Sequence, residues 1–255
     1  MSDLAAYMQL SQGVAVFALL ACFCAGLIRG FAGFGLSALA MAMLAAFIPP
    51  IQLIPVFWFL EMTGSLVLMR GGWADANRAI AIPLIISSAL ALPFGLLISL
   101  TLDASISKAV ALTALIVLAL LQLSRVRLPL LATTGGTYTT GAAAGVITGL
   151  AGAGGMFIAL YTLARDLPAR MMRGTLNIYL LGAGVLGLVT HFAIGTMDST
   201  AMARAYVLIP VTLCGVFLGR AAFTPRWEPY YRPVCLILLL GLASAGLIRL
   251  IGASQ

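Results

Sequence analysis

Charged side chains are scarce in this sequence of 255 residues, where Lys, Arg, Asp and Glu together make up only 8%. A soluble domain normally carries about a quarter charged residues, so this chain could not keep a solvated surface. Hydrophobic residues make up 62% of the chain, and the mean hydropathy is +1.12. Several apolar stretches reach the roughly 18 residues that a helix needs to cross a hydrocarbon core. The sequence therefore predicts an all-α integral membrane protein.

The residues that usually hold a cofactor are also missing. His191 is the single histidine, which excludes a bis-histidine haem or a histidine-based metal site within one chain. Four cysteines lie inside apolar stretches without a CxxC or zinc spacing, and we interpret them as small buried residues. The basic residues are scattered, so the net charge of +7 does not indicate nucleic acid. We expect no cofactor, no metal, no nucleic-acid partner and no enzymatic activity.

Six apolar segments have the length of full membrane spans. They are residues 51–69, 79–100, 109–123, 174–194, 205–219 and 233–250. Two further apolar segments, 13–47 and 137–164, are each interrupted near the middle by several glycines.

These two glycine-interrupted segments are copies of one another, 119 residues apart. The stretch GLIRGFAGFGLSALAMAMLA from Gly26 matches GVITGLAGAGGMFIALYTLA from Gly145 at nine of twenty positions. Each copy is followed by three full spans. We predict a single transmembrane domain, 1–255, built of two repeats at about 13–123 and 137–251.

The positive-inside rule distinguishes two topologies for the glycine-interrupted segments. If each segment crossed once, the two sides would hold six and seven basic residues. If each is a helix-turn-helix hairpin, ten basic residues collect on one side, and the other keeps Lys108, Arg204 and Arg249. We therefore predict six spans and two hairpins in the inner membrane. The first residues lack the basic region of a secretory signal, so we expect a retained N-terminus, with both termini non-cytoplasmic.

Each repeat then makes three crossings, an odd number, so the second repeat is predicted to be inverted relative to the first. Inversion would bring the two glycine turns together near the midplane, where transporters of this kind build their sites.

Glycine turns between half-helices expose backbone amides and helix N-termini, which attract anions. The candidate substrate-binding residues of the turns are Gly30, Gly33, Phe34, Gly35, Thr148, Gly149, Gly152, Gly154 and Gly155. The alternative is close helix packing, because both copies also satisfy GxxxG. No preceding strand and no GK[ST] accompany the glycines, which excludes the usual nucleotide-binding motifs.

Arg29, the repeat counterpart of Thr148, lies near the first turn, and Glu61 is the only acidic residue inside a span. A guanidinium at membrane depth is costly and marks a substrate path or an ion pair. We hypothesise that protonation of Glu61 frees Arg29 for an anion, which would couple transport to protons. The alternatives are a purely structural pair and an Arg29 that extends to the interface.

Other polar residues inside spans, Asn177 among them, could line a path or join helices by hydrogen bonds. The remaining ones are Thr63, Ser65 and Thr175. We interpret His191, near the end of its span, as structural or interfacial.

The segments GLIRGFAGFG and GVITGLAGAGG, at the start of each half of a short and very apolar chain, resemble the sulfite exporter TauE/SafE family of membrane permeases. The resemblance covers nearly the whole chain and implies movement of small sulfur oxyanions, such as sulfite or sulfonates, across the inner membrane. Arg29 departs from a turn made only of glycines and small residues. We interpret the chain as a secondary transporter of a small sulfur oxyanion, organosulfonate or carboxylate, in the direction of export.

A negative cell interior favours the exit of an anion by about 2.3 kcal/mol per charge per 100 mV, so export needs no coupling ion. Import would need one, and Glu61 is the obvious intramembrane carrier. The alternatives are an anion channel and a non-transport membrane subunit or scaffold. The expected partners are the substrate and the lipid bilayer, and the sequence leaves a homodimer open.

Overall fold

A computed structural model describes residues 2–124, 133–165, 167–222 and 228–252 of the chain. Within these ranges every regular element is an α-helix, which confirms the predicted all-α class. The helices are α1 (Ser2–Tyr7), α2 (Gln12–Ala32), α3 (Leu36–Leu44), α4 (Pro50–Gly72), α5 (Arg78–Thr101), α6 (Ala104–Leu123), α7 (Thr134–Ala151), α8 (Gly154–Ala164), α9 (Ala169–Ile194), α10 (Ser199–Ala221) and α11 (Glu228–Gly252).

Seven of the described helices are long and apolar enough to cross a membrane. Six of them, α4, α5, α6, α9, α10 and α11, contain the six predicted spans. The seventh is α2, whose 21 residues also suffice by length and composition. The short helix α1 has no counterpart among the predicted elements.

Glycines in the left-handed conformation end the first arm of each hairpin. Gly33 and Gly35 have φ angles of 81° and 89° between α2 and α3, and Gly152 has a φ of 64° between α7 and α8. Only glycine adopts such angles without strain, so the chain turns where the predicted glycines stand.

The open ends of both hairpins are joined by side chains. The rings of Phe17 and Phe47 lie 5.4 Å apart, between the start of α2 and the residues after α3. The hydroxyls of Thr137 and Tyr161 lie 2.8 Å apart, between the start of α7 and the end of α8. In both copies the chain thus returns towards the place from which it entered, as the hairpin prediction requires.

The first arm of each hairpin packs closely against a long helix of the other half. Helix α2 lies against α10, where a methyl group at Gly26 would collide with the carbonyl oxygen of Thr212. Helix α7 lies against α5, where a methyl group at Gly145 would collide with the carbonyl oxygen of Ser88. The packing role proposed for the GxxxG glycines is therefore real, and it interlocks the two halves.

Helices α4 and α9 pack side by side and run in opposite directions. At one end of the contact the rings of Trp58 and His191 lie 6.3 Å apart. At the other end, Asn177 donates a hydrogen bond to the carbonyl oxygen of Ser65 over 3.1 Å. Inversion of the repeats requires this opposite course, although the inversion itself and the repeat bounds stay predictions.

The structure corrects the predicted position of Arg204. The basic-residue count places Arg204 in a loop. Helix α10 begins earlier, at Ser199, where the side chain of Asp198 accepts a capping hydrogen bond from the backbone N–H of Ala201. Arg204 therefore lies inside the helix, and 5% of it is exposed. Its guanidinium donates to the carbonyl oxygen of Met8 over 3.0 Å and to Gln52. The other basic residues of that count include three outside the described residues, namely Arg125, Arg127 and Arg226.

Candidate functional site

A cavity of about 80 Å³, partly open to the outside, lies between α4, α5, α9 and the turn of the second hairpin. Most of its lining is apolar. The lining residues whose side chains can make hydrogen bonds are Ser37, Trp58, Glu61, Ser88, Thr148, Tyr179 and His191. A mostly apolar pocket with a few convergent polar groups is the usual form of a small-molecule site.

On one side of the cavity, Glu61 places its carboxylate at the N-terminus of α3. Its Oε1 accepts hydrogen bonds from the backbone N–H of Ser37 over 3.1 Å and from the Ser37 hydroxyl over 3.0 Å. Its Oε2 lies 3.2 Å from Nε of Arg29. An internal carboxylate thus occupies the helix N-terminus for which the sequence predicted an external anion.

Arg29 itself is completely buried and does not line this cavity. Its terminal nitrogens donate to the carbonyl oxygen of Gly33, to the Ser65 hydroxyl over 2.8 Å and to Oδ1 of Asn177 over 3.2 Å. The predicted pairing of Arg29 with Glu61 is therefore formed, and the remaining donors of the guanidinium are held by α2, α4 and α9.

On the other side of the cavity, α8 begins at Gly154 without a side-chain cap. The hydroxyls of Ser88 and Tyr179 lie 2.9 Å apart beside it, and the Thr148 hydroxyl donates to the carbonyl oxygen of Ala144 over 2.7 Å. The repeat counterpart of Glu61 is Leu180, 119 residues later, which also lines the cavity. The N-terminus of α8 therefore faces hydroxyl and apolar groups where that of α3 faces a carboxylate.

The family model described as sulfite exporter TauE/SafE matches residues 18–246, nearly the whole chain. The protein belongs to the TauE/SafE family. Membership makes it a multi-pass membrane transporter and not an enzyme. Comparisons with curated proteins and with solved structures give no match.

Five of the residues predicted for the site line the cavity of this TauE/SafE protein. They are Glu61, Thr148, Gly152, Gly154 and Gly155. At Gly154 a methyl group would meet Thr148 Oγ1 and the carbonyl oxygen of Ala144, so only glycine lets α8 start this close to α7.

The other predicted residues lie outside this cavity. Gly30 packs against Val216 of α10, and Gly149 packs against Gly95 of α5. The rest are Arg29 and Asn177, joined to each other as described, Gly33 and Gly35 in the first turn, and the buried ring of Phe34. The assignment of all these residues to substrate binding stays a prediction.

Several lining residues of the TauE/SafE cavity were not predicted as site residues. Ser37, Ser88 and Tyr179 lie within apolar helices, and nothing in the sequence distinguishes them from residues that join helices. His191, interpreted as structural, lines the cavity as well and hydrogen-bonds Thr196 through Nδ1 over 2.7 Å. It is the single histidine of the sequence, and that could have marked it as a candidate site residue.

Proposed function

We propose that this TauE/SafE protein is a secondary transporter that binds a small sulfur oxyanion or organosulfonate, such as sulfite, in the cavity between α4, α5, α9 and the second hairpin. The observation that carries the proposal is that the first residues of α3 and α8, namely Ser37, Gly154 and Gly155, line one cavity. The N-terminus of α8 offers backbone N–H groups and a partial positive charge to that space, and the N-terminus of α3 already binds the Glu61 carboxylate there. Hydroxyls of Ser37, Ser88, Thr148 and Tyr179 supply further hydrogen-bonding groups.

The rest of the lining suits an anion with an apolar part. Ile54, Phe57, Met62, Leu92 and Leu180 surround the polar groups. Hydrogen bonds and charges act more strongly beside such apolar groups than in bulk water. A sulfonate, with one charge spread over three oxygens and an organic substituent, matches both kinds of lining.

We propose that the two halves are inverted repeats in the inner membrane, with both termini non-cytoplasmic, and that they expose the cavity alternately to the two sides. The opposite course of α4 and α9 supports the inversion. Export is the direction that the family description suggests.

Thermal unfolding of the purified protein in detergent tests the site. We expect sulfite and ethanesulfonate to raise the melting temperature, because a ligand that binds only the folded state stabilises it. Ser88→Ala should lose part of that rise, whereas Ser99→Ala should keep it, since Ser99 is a buried serine of the same helix outside the cavity. No stabilisation by any anion, or equal stabilisation in both variants, would contradict the proposed site.

A further inference from the structure

The carboxylate of Glu61 is held by a set of donors that would equally suit a substrate oxyanion. Arg29 Nε lies 3.2 Å from Oε2, and the Ser37 N–H and hydroxyl lie 3.1 Å and 3.0 Å from Oε1. Glu61 and Ser37 both line the cavity, and 13% of the Glu61 side chain is exposed. A guanidinium and two neutral donors thus surround the Glu61 carboxylate at the cavity wall, and this internal anion fills the space between them.

We propose that the substrate anion takes the place of the Glu61 carboxylate when Glu61 is protonated, so that one proton and one monoanion are transported together. The inference rests on the proposed transport function and adds to it the coupling ion and the stoichiometry. No bond is formed or broken apart from the transfer of one proton to a carboxylate oxygen of Glu61.

The one-to-one ratio follows from the charge of the site. Arg29 and an ionised Glu61 are neutral together, and so are Arg29 and a bound monoanion beside a protonated Glu61. A proton without the anion would leave Arg29 as an unpaired buried cation, and an anion without the proton would leave an excess negative charge. Both are costly at membrane depth, so neither is expected to cross alone.

Glu61 is the member of the pair that can move. The terminal nitrogens of Arg29 are fixed by the carbonyl oxygen of Gly33, by Ser65 and by Asn177, so its guanidinium stays beside the Glu61 carboxylate. A protonated Glu61 no longer needs the guanidinium and can turn into the adjoining cavity. The substrate can then bind beside Arg29 without any movement of the Arg29 side chain.

The coupling resides in the first half of the chain only. The repeat counterparts of Arg29 and Glu61 are Thr148 and Leu180, neither of which ionises. The same structural position therefore holds a proton-accepting pair in one half of the chain and neutral groups in the other.

The cavity lining contains two other titratable side chains among the described residues, Tyr179 and His191, both from α9. Arg29 faces Glu61 from α2, and neither α3, α5 nor α7 adds a titratable group to the lining. Two further arginines come from neighbouring helices but donate to backbone oxygens. Arg220 of α10 donates to the carbonyl oxygen of Val67, near the C-terminal end of α4, and Arg173 of α9 donates to the carbonyl oxygen of Gly30 in α2. His191 is thus the alternative proton carrier that a test must separate from Glu61.

The test uses the full chain in liposomes and labelled ethanesulfonate, which stays a monoanion at every usable pH, so pH can act only on the protein. With an imposed pH difference, the wild type should accumulate label about tenfold per pH unit on the alkaline side, because proton and anion move together. An imposed membrane potential alone should cause no accumulation. An uncoupled monoanion would instead follow the potential, about tenfold for each ~60 mV.

Glu61→Gln removes the titratable group and keeps a similar shape, so its accumulation should follow the membrane potential and ignore the pH difference. His191→Gln should keep accumulation driven by the pH difference, whatever its rate. The inference is overturned if wild-type accumulation follows the potential, if Glu61→Gln still responds to pH, or if His191→Gln stops responding. The wild-type result decides the stoichiometry even if Glu61→Gln does not fold.

Exchange of internal for external ethanesulfonate separates this inference from the proposed function. If exchange is absent, the transport function and its coupling fail together. If exchange is present but independent of protons, the transport function stands and the coupling alone is wrong.

Discussion

Trp58 and Asn177 lie 119 residues apart at counterpart positions of the two halves, and each donates a side-chain hydrogen bond to the helix that carries the other. Trp58 Nε1 donates to the carbonyl oxygen of Gly184 over 2.9 Å, and Asn177 Nδ2 donates to that of Ser65 over 3.1 Å. Gly184 and Ser65 are also 119 residues apart. Two chemically unlike side chains thus make the same reciprocal bond between antiparallel helices, which is what the proposed inversion implies.

Inversion predicts that the two hairpins enter the membrane from opposite sides. Gly13 and Gly135 lie in the first turns of α2 and α7, and a side chain at either position meets open space. In a background without the native cysteines, Gly13→Cys should react with an impermeant maleimide from outside the cell. Gly135→Cys should react only after the cytoplasmic face is opened. Labelling of both cysteines from the same side would exclude inverted repeats.

The tight contacts of α2 and α7 predict that small additions there are destabilising. Gly26→Ala and Gly145→Ala place a methyl group on a backbone carbonyl of the neighbouring helix and should cost about 1–3 kcal/mol. Gly241→Ala is the control, since its methyl group meets no atom within 4 Å and alanine favours a helix by about 0.5–1 kcal/mol. Melting temperatures in detergent measure the difference. Equal effects at the three positions would show that these contacts are loose.

The Arg29–Glu61 pair predicts a large difference between a single and a double substitution. Arg29→Met leaves the Glu61 carboxylate without its cation, which should cost about 3–5 kcal/mol of stability. Adding Glu61→Met to it should restore most of that loss, because no buried charge then remains unpaired. Thermal unfolding of the two variants gives the comparison, and a double variant no more stable than the single one would mean that the pair is not electrostatically coupled.

The sequence predicted those features that local chemistry determines. The glycines of the two turns required left-handed backbone, which the structure has at Gly33, Gly35 and Gly152. The sequence has one acidic and one basic residue at membrane depth, and this predicted the pairing of Arg29 with Glu61, because either charge would be costly without a partner.

The sequence could not predict which polar groups meet at the cavity. Ser88 reaches Tyr179 only because α5 packs beside α9 as well as α7. Ser37 reaches Glu61 only because the first turn of α3 packs against α4. Spacing alone also does not separate glycines that pack helices, such as Gly30, from those at a cavity wall. These contacts depend on tertiary packing that neither composition nor periodicity describes.

The cavity predicts a strong effect of charge at Leu180, the repeat counterpart of Glu61. Leu180→Glu would put a second carboxylate near the N-terminus of α8, where it repels an anion and competes for the same N–H groups. We expect at least a tenfold loss of ethanesulfonate affinity, equivalent to about 1.4 kcal/mol. Leu180→Gln has nearly the same size without the charge and should bind within a few fold of the wild type. Equal losses in both variants would indicate a steric effect and contradict an anion site here.

Counterflow in liposomes tests the central claim most directly. If this TauE/SafE protein is a carrier of small sulfur anions, unlabelled sulfite or ethanesulfonate trapped inside should accelerate the uptake of external labelled ethanesulfonate, and uptake should saturate. Ser88→Ala should weaken the effect, and Ser99→Ala should leave it as in the wild type. Uptake that rises linearly with concentration and ignores the trapped anion would identify a channel, and no uptake at all would contradict the proposed function.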